Sequence, residues 1–323
     1  MNTLFGPVTL DICRDVHILV TLAALPQRRE DCPNLKYCHF LTAGFNYVAK
    51  SSLFMDPSIR WTSSSGIHAP AVAEWIFMAY IAHQREYDAQ RQAQLQRQWR
   101  GYEFHAMQHH RGLSGQRLGI LGYGNIGRHV AKVAAAFNMD VIAYTATARE
   151  SSSARLDNAY RLPGTGDPEG TIPSLWFHGT EKADIHRFLA QNLDILVICL
   201  PLTEKTRYLL GKEEFDVLRN GNSGGGGTFI CNVSRGEIIQ QEDLINALST
   251  ESSGIRGAAL DVQSPEPLPP DSPLWKAPNC FITPHNSSQD DRYLLHGLDI
   301  LLINLGKSSD QRLVNEVDRT RKY

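Results

Sequence analysis

The sequence lacks any stretch able to cross a membrane. Its best apolar runs, such as 193–202, fall well short of the roughly 18 residues a spanning helix needs. It lacks an excess of charge: 32 Lys+Arg oppose 34 Asp+Glu, a balance of −2 with histidines neutral. That excludes a polybasic nucleic-acid binder and an acidic solvating chain. The opening MNTLFGPVTLDICRDVHILV has no basic region followed by a long apolar one, so no signal peptide is read. The six cysteines, at 13, 32, 38, 199, 231 and 280, form no C-x-x-C pair and no metal-ligand spacing. Three of them sit in apolar runs, as small core hydrophobes do. No internal repeat is found. These absences leave a reduced, cytoplasmic chain with no metal, membrane or nucleic-acid partner as the expectation.

What is present is globular. Of 323 residues, 42% are apolar and 20% charged, enough for a sizeable core over about two domains. Residues 1–70 hold two short apolar runs, His17–Leu22 and Tyr37–Leu41, which read as strands between turns. Residues 70–100 read as helix. Pro70 suits a first turn, and Val72, Ile76, Ala79 and Ala82 recur at helical intervals. The tail, AQRQAQLQRQWR, reads as a solvated helix joining two domains, since Glu86, Asp88 and the neutral total argue against steering nucleic acid. His105, His109 and His110 follow without the carboxylate or cysteine company of a metal site.

From 115 onward short apolar runs alternate with helical segments. Strands are expected at Arg117–Leu121, Asp140–Tyr144, Asp194–Leu200, Thr228–Val233, Gly257–Val262 and Cys280–Thr283, and helices at 125–137, Asp184–Leu189 and Gln241–Leu248. Runs apolar on both faces imply an α/β fold whose parallel sheet is covered on two sides. Two stretches interrupt the alternation: residues 146–180, a long excursion rich in Ser, Gly and Pro, and NGNSGGGG (220–227), a flexible surface loop. The helical stretch 291–305 is expected to return to the first domain.

Gly122-Tyr-Gly124-Asn125-Ile126-Gly127 follows a strand and opens a helix, with a second strand ending about 18 residues later. In that setting the first glycine allows a tight turn, the second lets backbone approach a pyrophosphate, and the third lets helix pack on strand. The helix N-terminus offers N–H groups to the phosphates. Selectivity for NAD usually rests on an acid at the end of the second strand. Here the run is Ala143-Tyr144-Thr145-Ala146-Thr147-Ala148-Arg149, with no acid before Glu150. Two hydroxyls and a guanidinium suit a 2′-phosphate, so NADP(H) is favoured over NAD(H). The plainer reading makes Arg149 a surface charge opening the long loop.

Three further clusters fall at strand ends: Asn232-Val-Ser234-Arg235-Gly, Ala259-Leu-Asp261-Val-Gln-Ser-Pro-Glu266-Pro, and Ile282-Thr-Pro-His285. Ligands of doubly wound sheets bind outside the carboxyl ends of the strands, so a guanidinium, a carboxylate and an imidazole can meet there.

With these motifs the chain resembles the D-isomer-specific 2-hydroxyacid dehydrogenases over most of its length. GYGNIG, LPLTEKT (200–206), NVSRG, ALDVQSPEPLP and TPH carry the likeness, with TAGFN (42–46) and the Ala73-Glu74 helix upstream. The GTGDPEGTIPS stretch and the EVDRTRKY ending look like a fungal branch. The resemblance implies a Rossmann-type doubly wound domain over 97–287 and a smaller, discontinuous, flavodoxin-like α/β substrate domain formed by 1–96 and 288–323. Family members open with a strand and helix, whereas only about 15 unpatterned residues precede the matched region here. A first domain without its opening βα unit, with an apolar sheet edge exposed, is therefore expected.

The resemblance also implies roles. Arg235, Glu266 and His285 form the catalytic trio; Ala43, Gly44, Phe45 and Arg235 hold substrate. Leu200, Pro201, Thr206 and Ser234 lie along the cofactor, and Asp261 lies near the nicotinamide amide. Phe45, Asn46 and Asn286-Ser-Ser288 depart from residues common in relatives. The implied reaction is NAD(P)H-dependent reduction of a 2-oxo acid, such as glyoxylate, hydroxypyruvate or a bulkier keto acid, to a D-2-hydroxy acid by a homodimer. Imidazole suits the proton transfer, a neighbouring carboxylate favours its charged form, and arginine grips the substrate carboxylate. The alternative is a non-enzymatic dinucleotide-sensing scaffold of the same fold. Formate oxidation is disfavoured, because relatives with that activity carry glutamine at the Glu266 position.

Overall fold

The computed structural model describes residues 13–22, 24–44, 48, 51–99, 111–222, 226–308 and 310–317. The expectations placed on Phe45, Asn46, the histidines at 105, 109 and 110, and the residues ahead of 13 lie outside these. The chain divides into two compact units. One comprises Met1–His68, Ala159–Gly164 and Gln289–Tyr323; the other comprises Ala69–Asn158 and Thr165–Ser288.

The first unit holds three parallel strands in sequential order, β1 (Ile18–Thr21), β2 (Tyr37–Phe40) and β3 (Arg60–Ser63). A polar network ties the C-terminal helix Tyr293–Leu305 to this sheet. The Tyr37 and Thr62 hydroxyls lie 2.7 Å apart, and His39 bridges Thr62 (2.8 Å) and the Gly297 carbonyl (3.0 Å). Asn304 donates to Tyr37 and accepts from the Val314 N–H. These groups are buried and partnered, as burial requires. Ile67, Leu162 and Ile300 form a small core of their own.

The larger unit is built on seven parallel strands: β4 (Arg117–Leu121), β5 (Asp140–Thr145), β6 (Leu175–His178), β7 (Ile195–Ile198), β8 (Thr228–Asn232), β9 (Ile255–Leu260) and β10 (Cys280–Ile282). Their order is β10-β9-β8-β7-β4-β5-β6. This is the doubly wound arrangement, with the switch point between β4 and β7. Neighbouring residues on one strand enter different cores. Ile120, Val141, Val197 and Phe229 join one cluster, and Leu121, Ile142, Ile198 and Ile230 join the other. A sheet buried on both faces needs such unbroken apolar strands.

Three features depart from the sequence reading. The helix expected over 70–100 is two, Ala69–Gln84 and Tyr87–Leu95, separated where Glu86 adopts the left-handed region at φ 48°. The first of them buries Val72, Ile76 and Tyr80 in the same core as Ile120 and Val130, so this helix packs with the larger unit. The division expected at residue 97 falls at 69, because apolar burial rather than the polar tail fixes the helix's allegiance. The 146–180 excursion contains β6, an edge strand paired with β5, and sends Ala159–Gly164 into the first unit.

Burial pushes the His68 imidazole down to about 4 and also lowers that of His39. An unfolded histidine titrates near 6.5, so below about pH 6.5 the unfolded chain binds the additional protons. The His68 contribution to stability is therefore complete above about pH 6.5 and falls as pH drops toward 4, by up to about 1.4 kcal/mol per pH unit, and His39 acts in the same direction. His68→Phe keeps a ring against Tyr293, 5.1 Å away, and removes one such group. Its Tm is expected to decline less steeply than the parent's between pH 6.5 and 4.5; identical slopes would show that His68 contributes nothing to the acid response.

Candidate active site

The glycine turn begins where β4 ends. Gly122 sits at φ +96°, and a Cβ there would come within 2.8 Å of the Cys199 carbonyl oxygen. A Cβ on Gly127 would meet the Gly122 carbonyl oxygen at 2.3 Å, which is why the helix Asn125–Ala136 can seat so closely on its strand. Gly124, the residue that caps this helix, has nothing within 4 Å of its Cβ position. Open space beside the residue that caps the helix, at the positive end of the helix dipole, suits a pyrophosphate. The three glycines thus fit a dinucleotide for three separate physical reasons.

At the end of β5 the Thr145 hydroxyl donates to the Thr147 carbonyl at 2.7 Å. Arg149 donates to the Ala154 carbonyl, and its Nε is buried without a partner. Beyond β7, Leu200 accepts a hydrogen bond from the Ser234 hydroxyl, which fastens the loop after β7 to the loop after β8. Thr206 donates to the Pro201 carbonyl at 2.7 Å and closes the 201–206 turn.

The trio comes from β8, β9 and β10. Asn232 shapes the first loop: its carboxamide accepts from the Ser234 N–H and donates to the Arg235 carbonyl. Gly236 lets this loop touch the next, because a Cβ there would lie 2.0 Å from the Gln263 carbonyl carbon. The Glu266 carboxylate takes the Gln263 N–H at 3.0 Å on one oxygen and His285 Nδ1 at 3.0 Å on the other. Burial pushes the Glu266 carboxyl up, but the His285 and Gln263 hydrogen bonds and the charges of His285 and Arg235 outweigh it. The carboxyl is held below its ordinary value, so it stays ionised through neutral pH and into mild acid. With side chains 47% and 36% exposed, His285 and Glu266 are anchored yet open to solvent. The structure thus brings Arg235, Glu266 and His285 together at the carboxyl ends of adjacent strands.

Asp261 has a task the sequence did not reveal. It is 1% exposed, and its carboxylate accepts from the Thr283 hydroxyl (2.6 Å), the Asn286 N–H (2.8 Å) and the Ser287 N–H (3.0 Å). These bonds, with His285 N–H to the Asp261 carbonyl at 2.8 Å, hold the turn that carries His285 at φ 53°. An aspartate followed some twenty residues later by a turn leaves no local signature, so only the fold exposes the link. In the first unit Ala43 is exposed, and the Thr42 hydroxyl donates to the Gly44 carbonyl at 2.9 Å. Elsewhere among the described residues, His186, Glu213 and Glu214 are close enough to share a cation. The Lys182 ammonium lies 2.5 Å from Glu213 and 3.8 Å from Glu214, so the group reads as an ion-pair cluster.

The family profile described as D-isomer specific 2-hydroxyacid dehydrogenase, NAD binding domain, matches residues 77–163 and 168–287. A hydroxypyruvate reductase of Blautia hydrogenotrophica is 27% identical over 295 residues, which is 90% of this chain and 80% of that protein. A glyoxylate reductase/hydroxypyruvate reductase of Mus musculus is 32% identical over 177 residues, 55% of this chain and 45% of the mouse protein. Among solved structures, the NADPH-dependent glyoxylate/hydroxypyruvate reductase of Sinorhizobium meliloti, in complex with NADP and sulfate, superposes with a TM-score of 0.72 at 25% identity, covering 96% of this chain and 87% of that one. A D-isomer specific 2-hydroxyacid dehydrogenase of Xanthobacter autotrophicus, bound to NADPH and MES, gives 0.71 at 26% identity, covering 96% and 86%. The profile spans more than half of the sequence and falls on the unit that carries the glycine turn and the trio, and the chain belongs to the D-isomer specific 2-hydroxyacid dehydrogenase family of oxidoreductases.

Proposed function

We propose that the chain reduces a 2-oxo acid of the glyoxylate or hydroxypyruvate class to the D-2-hydroxy acid, with His285 as the proton donor. The observation that carries the reading is the 3.0 Å pairing of His285 with an ionised Glu266 beside Arg235, on the same end of the sheet as the glycine turn. Nicotinamide, when bound, supplies a hydride to C2 of the substrate. His285 delivers a proton to the carbonyl oxygen, and Glu266 orients the ring. Arg235 offers a permanent charge to the substrate carboxylate and carbonyl. Backbone N–H groups at Ala43, Gly44 and Phe45 belong to the same assignment, as do cofactor contacts at Leu200, Pro201, Thr206, Ser234 and Asp261. The names of the matched reductases support this substrate class. The test is oxidation of NADPH with a panel of 2-oxo acids. Turnover on at least one small 2-oxo acid is expected, falling about 100-fold or more in His285→Ala while dinucleotide affinity is kept. Dinucleotide binding without turnover on any acid would replace the enzyme with a sensor.

The same reading favours NADPH over NADH. It is supported by the absence of an acid between Thr145 and Arg149, by the half-satisfied Arg149 guanidinium, and by the NADP and NADPH found in the matched structures. Arg149→Ala is expected to narrow the affinity gap between the two cofactors by weakening NADPH; equal affinities in the parent chain would contradict the preference. Association in pairs through the larger unit fits the exposed Met78, Tyr87, Leu95 and Trp99 on and just beyond its first two helices, and sedimentation at micromolar concentration checks it. A reducing compartment such as the cytoplasm suits the six free thiols.

A further inference from the structure

We infer that Asp167, in the 146–180 excursion, is a positioning residue for the dinucleotide. Through Tyr123 and Arg128 it holds the glycine turn in its binding shape. The inference rests on the dinucleotide reading above and adds residues that the motif does not contain.

Tyr123 stands between the first two glycines of the turn, and Arg128 follows the third. Both side chains turn inward, at 5% and 2% exposure, and both end on the excursion. The Tyr123 hydroxyl donates to Asp167 Oδ2 at 2.7 Å. The Arg128 guanidinium donates to the Asp167 carbonyl at 2.5 Å and to the Arg155 carbonyl at 2.7 Å, and lies 3.6 Å from the Asp157 carboxylate. It also sits 5.0 Å from the centre of the Tyr123 ring. Asp167 is fixed in turn by the N–H groups of Thr171 and Ile172, at 3.1 and 3.2 Å. Trp176 meets the Tyr123 ring edge-on at 4.9 Å. Burial and the adjacent carboxylate push the Tyr123 hydroxyl well up, so it remains a donor at any working pH.

The physical need is plain. A turn made of glycines has almost no side chains with which to fix itself, yet a pyrophosphate is read by backbone N–H groups that must be placed to about 0.5 Å. Here two large side chains, one within the turn and one just after it, are anchored to Asp167 on a separate loop, Tyr123 by its carboxylate and Arg128 by its main-chain carbonyl. Releasing them alters where the amides point before it unfolds anything. A purely structural role, holding the excursion down, would change stability and leave dinucleotide affinity alone.

Tyr123→Phe separates the two, because the ring, its contact with Trp176 and its place beside Arg128 all remain. In the full chain, titration of NADPH fluorescence is expected to show affinity about fivefold weaker than the parent's, the worth of one buried hydrogen bond. Faster amide exchange over 122–127 without cofactor should accompany it. At saturating cofactor, kcat and the KM for the 2-oxo acid should stay within twofold. Asp167→Asn should weaken NADPH at least as much, and the double variant no more than Asp167→Asn alone. Should Asp167→Asn fail to fold, Tyr123→Phe carries the test by itself. A parent that binds NADPH, with Tyr123→Phe binding within twofold of it, overturns the inference and leaves the proposed function standing. Losses that simply add in the double variant overturn the shared device. A parent that binds no dinucleotide overturns both.

Discussion

A histidine held at φ 53° occupies a region that costs most side chains on the order of 1 kcal/mol or more, and at His285 the offset comes from Asp261. One buried carboxylate takes a hydroxyl and two backbone N–H groups from the turn around the imidazole. The Asp261 carbonyl takes the His285 N–H itself. With the backbone so fixed, Nδ1 faces Glu266, and Glu266 is steadied in turn by the Gln263 N–H. Removing the Asp261 carboxylate would leave one buried and two half-buried donors unmatched and free the turn to relax. The His285–Glu266 pair therefore depends on a residue that does not belong to it.

The parallel sheet explains why the chemistry gathers at one edge. Every strand of the larger unit runs the same way, so every loop that follows a strand emerges at the same end. The glycine turn after β4, the hydroxyls after β5, the Ser234–Leu200 link between the β7 and β8 loops and the trio after β8, β9 and β10 are consequences of that single geometric fact. Strands buried on both faces leave the loops as the place where polar groups can gather.

Legibility in the sequence followed how local each feature is. β4 at Arg117–Leu121 and the helix Gln241–Leu248 have the bounds the pattern implies, because apolar run and flanking turn lie in one short window. The glycine motif was legible for the same reason. β3 escaped notice: RWTS carries a single large apolar residue, and it is a strand because Trp61 packs against Phe40 and Phe54 and Thr62 bridges to Glu316. β6 was hidden in a Ser/Gly/Pro-rich stretch, since an edge strand of four residues, none of them fully buried, has little pattern to display. The helix Lys212–Gly221 has no legible apolar face, because only two of its buried residues, Phe215 and Leu218, are apolar and the third is the charged Glu214. Asp261 and Asp167 act across gaps of about 20 to 44 residues, beyond the reach of any local pattern.

The central claim is that the 3.0 Å bond from Glu266 holds the His285 ring in the position that the proposed proton transfer needs. The direct measurement is kcat and KM for 2-oxo acid reduction in the parent, in Glu266→Gln and in Glu266→Ala. Glutamine can keep the contact, whereas alanine removes it. Turnover is expected to fall about 10-fold or more further in Glu266→Ala than in Glu266→Gln, with NADPH affinity kept in both. Turnover in Glu266→Ala equal to the parent's would contradict the pairing.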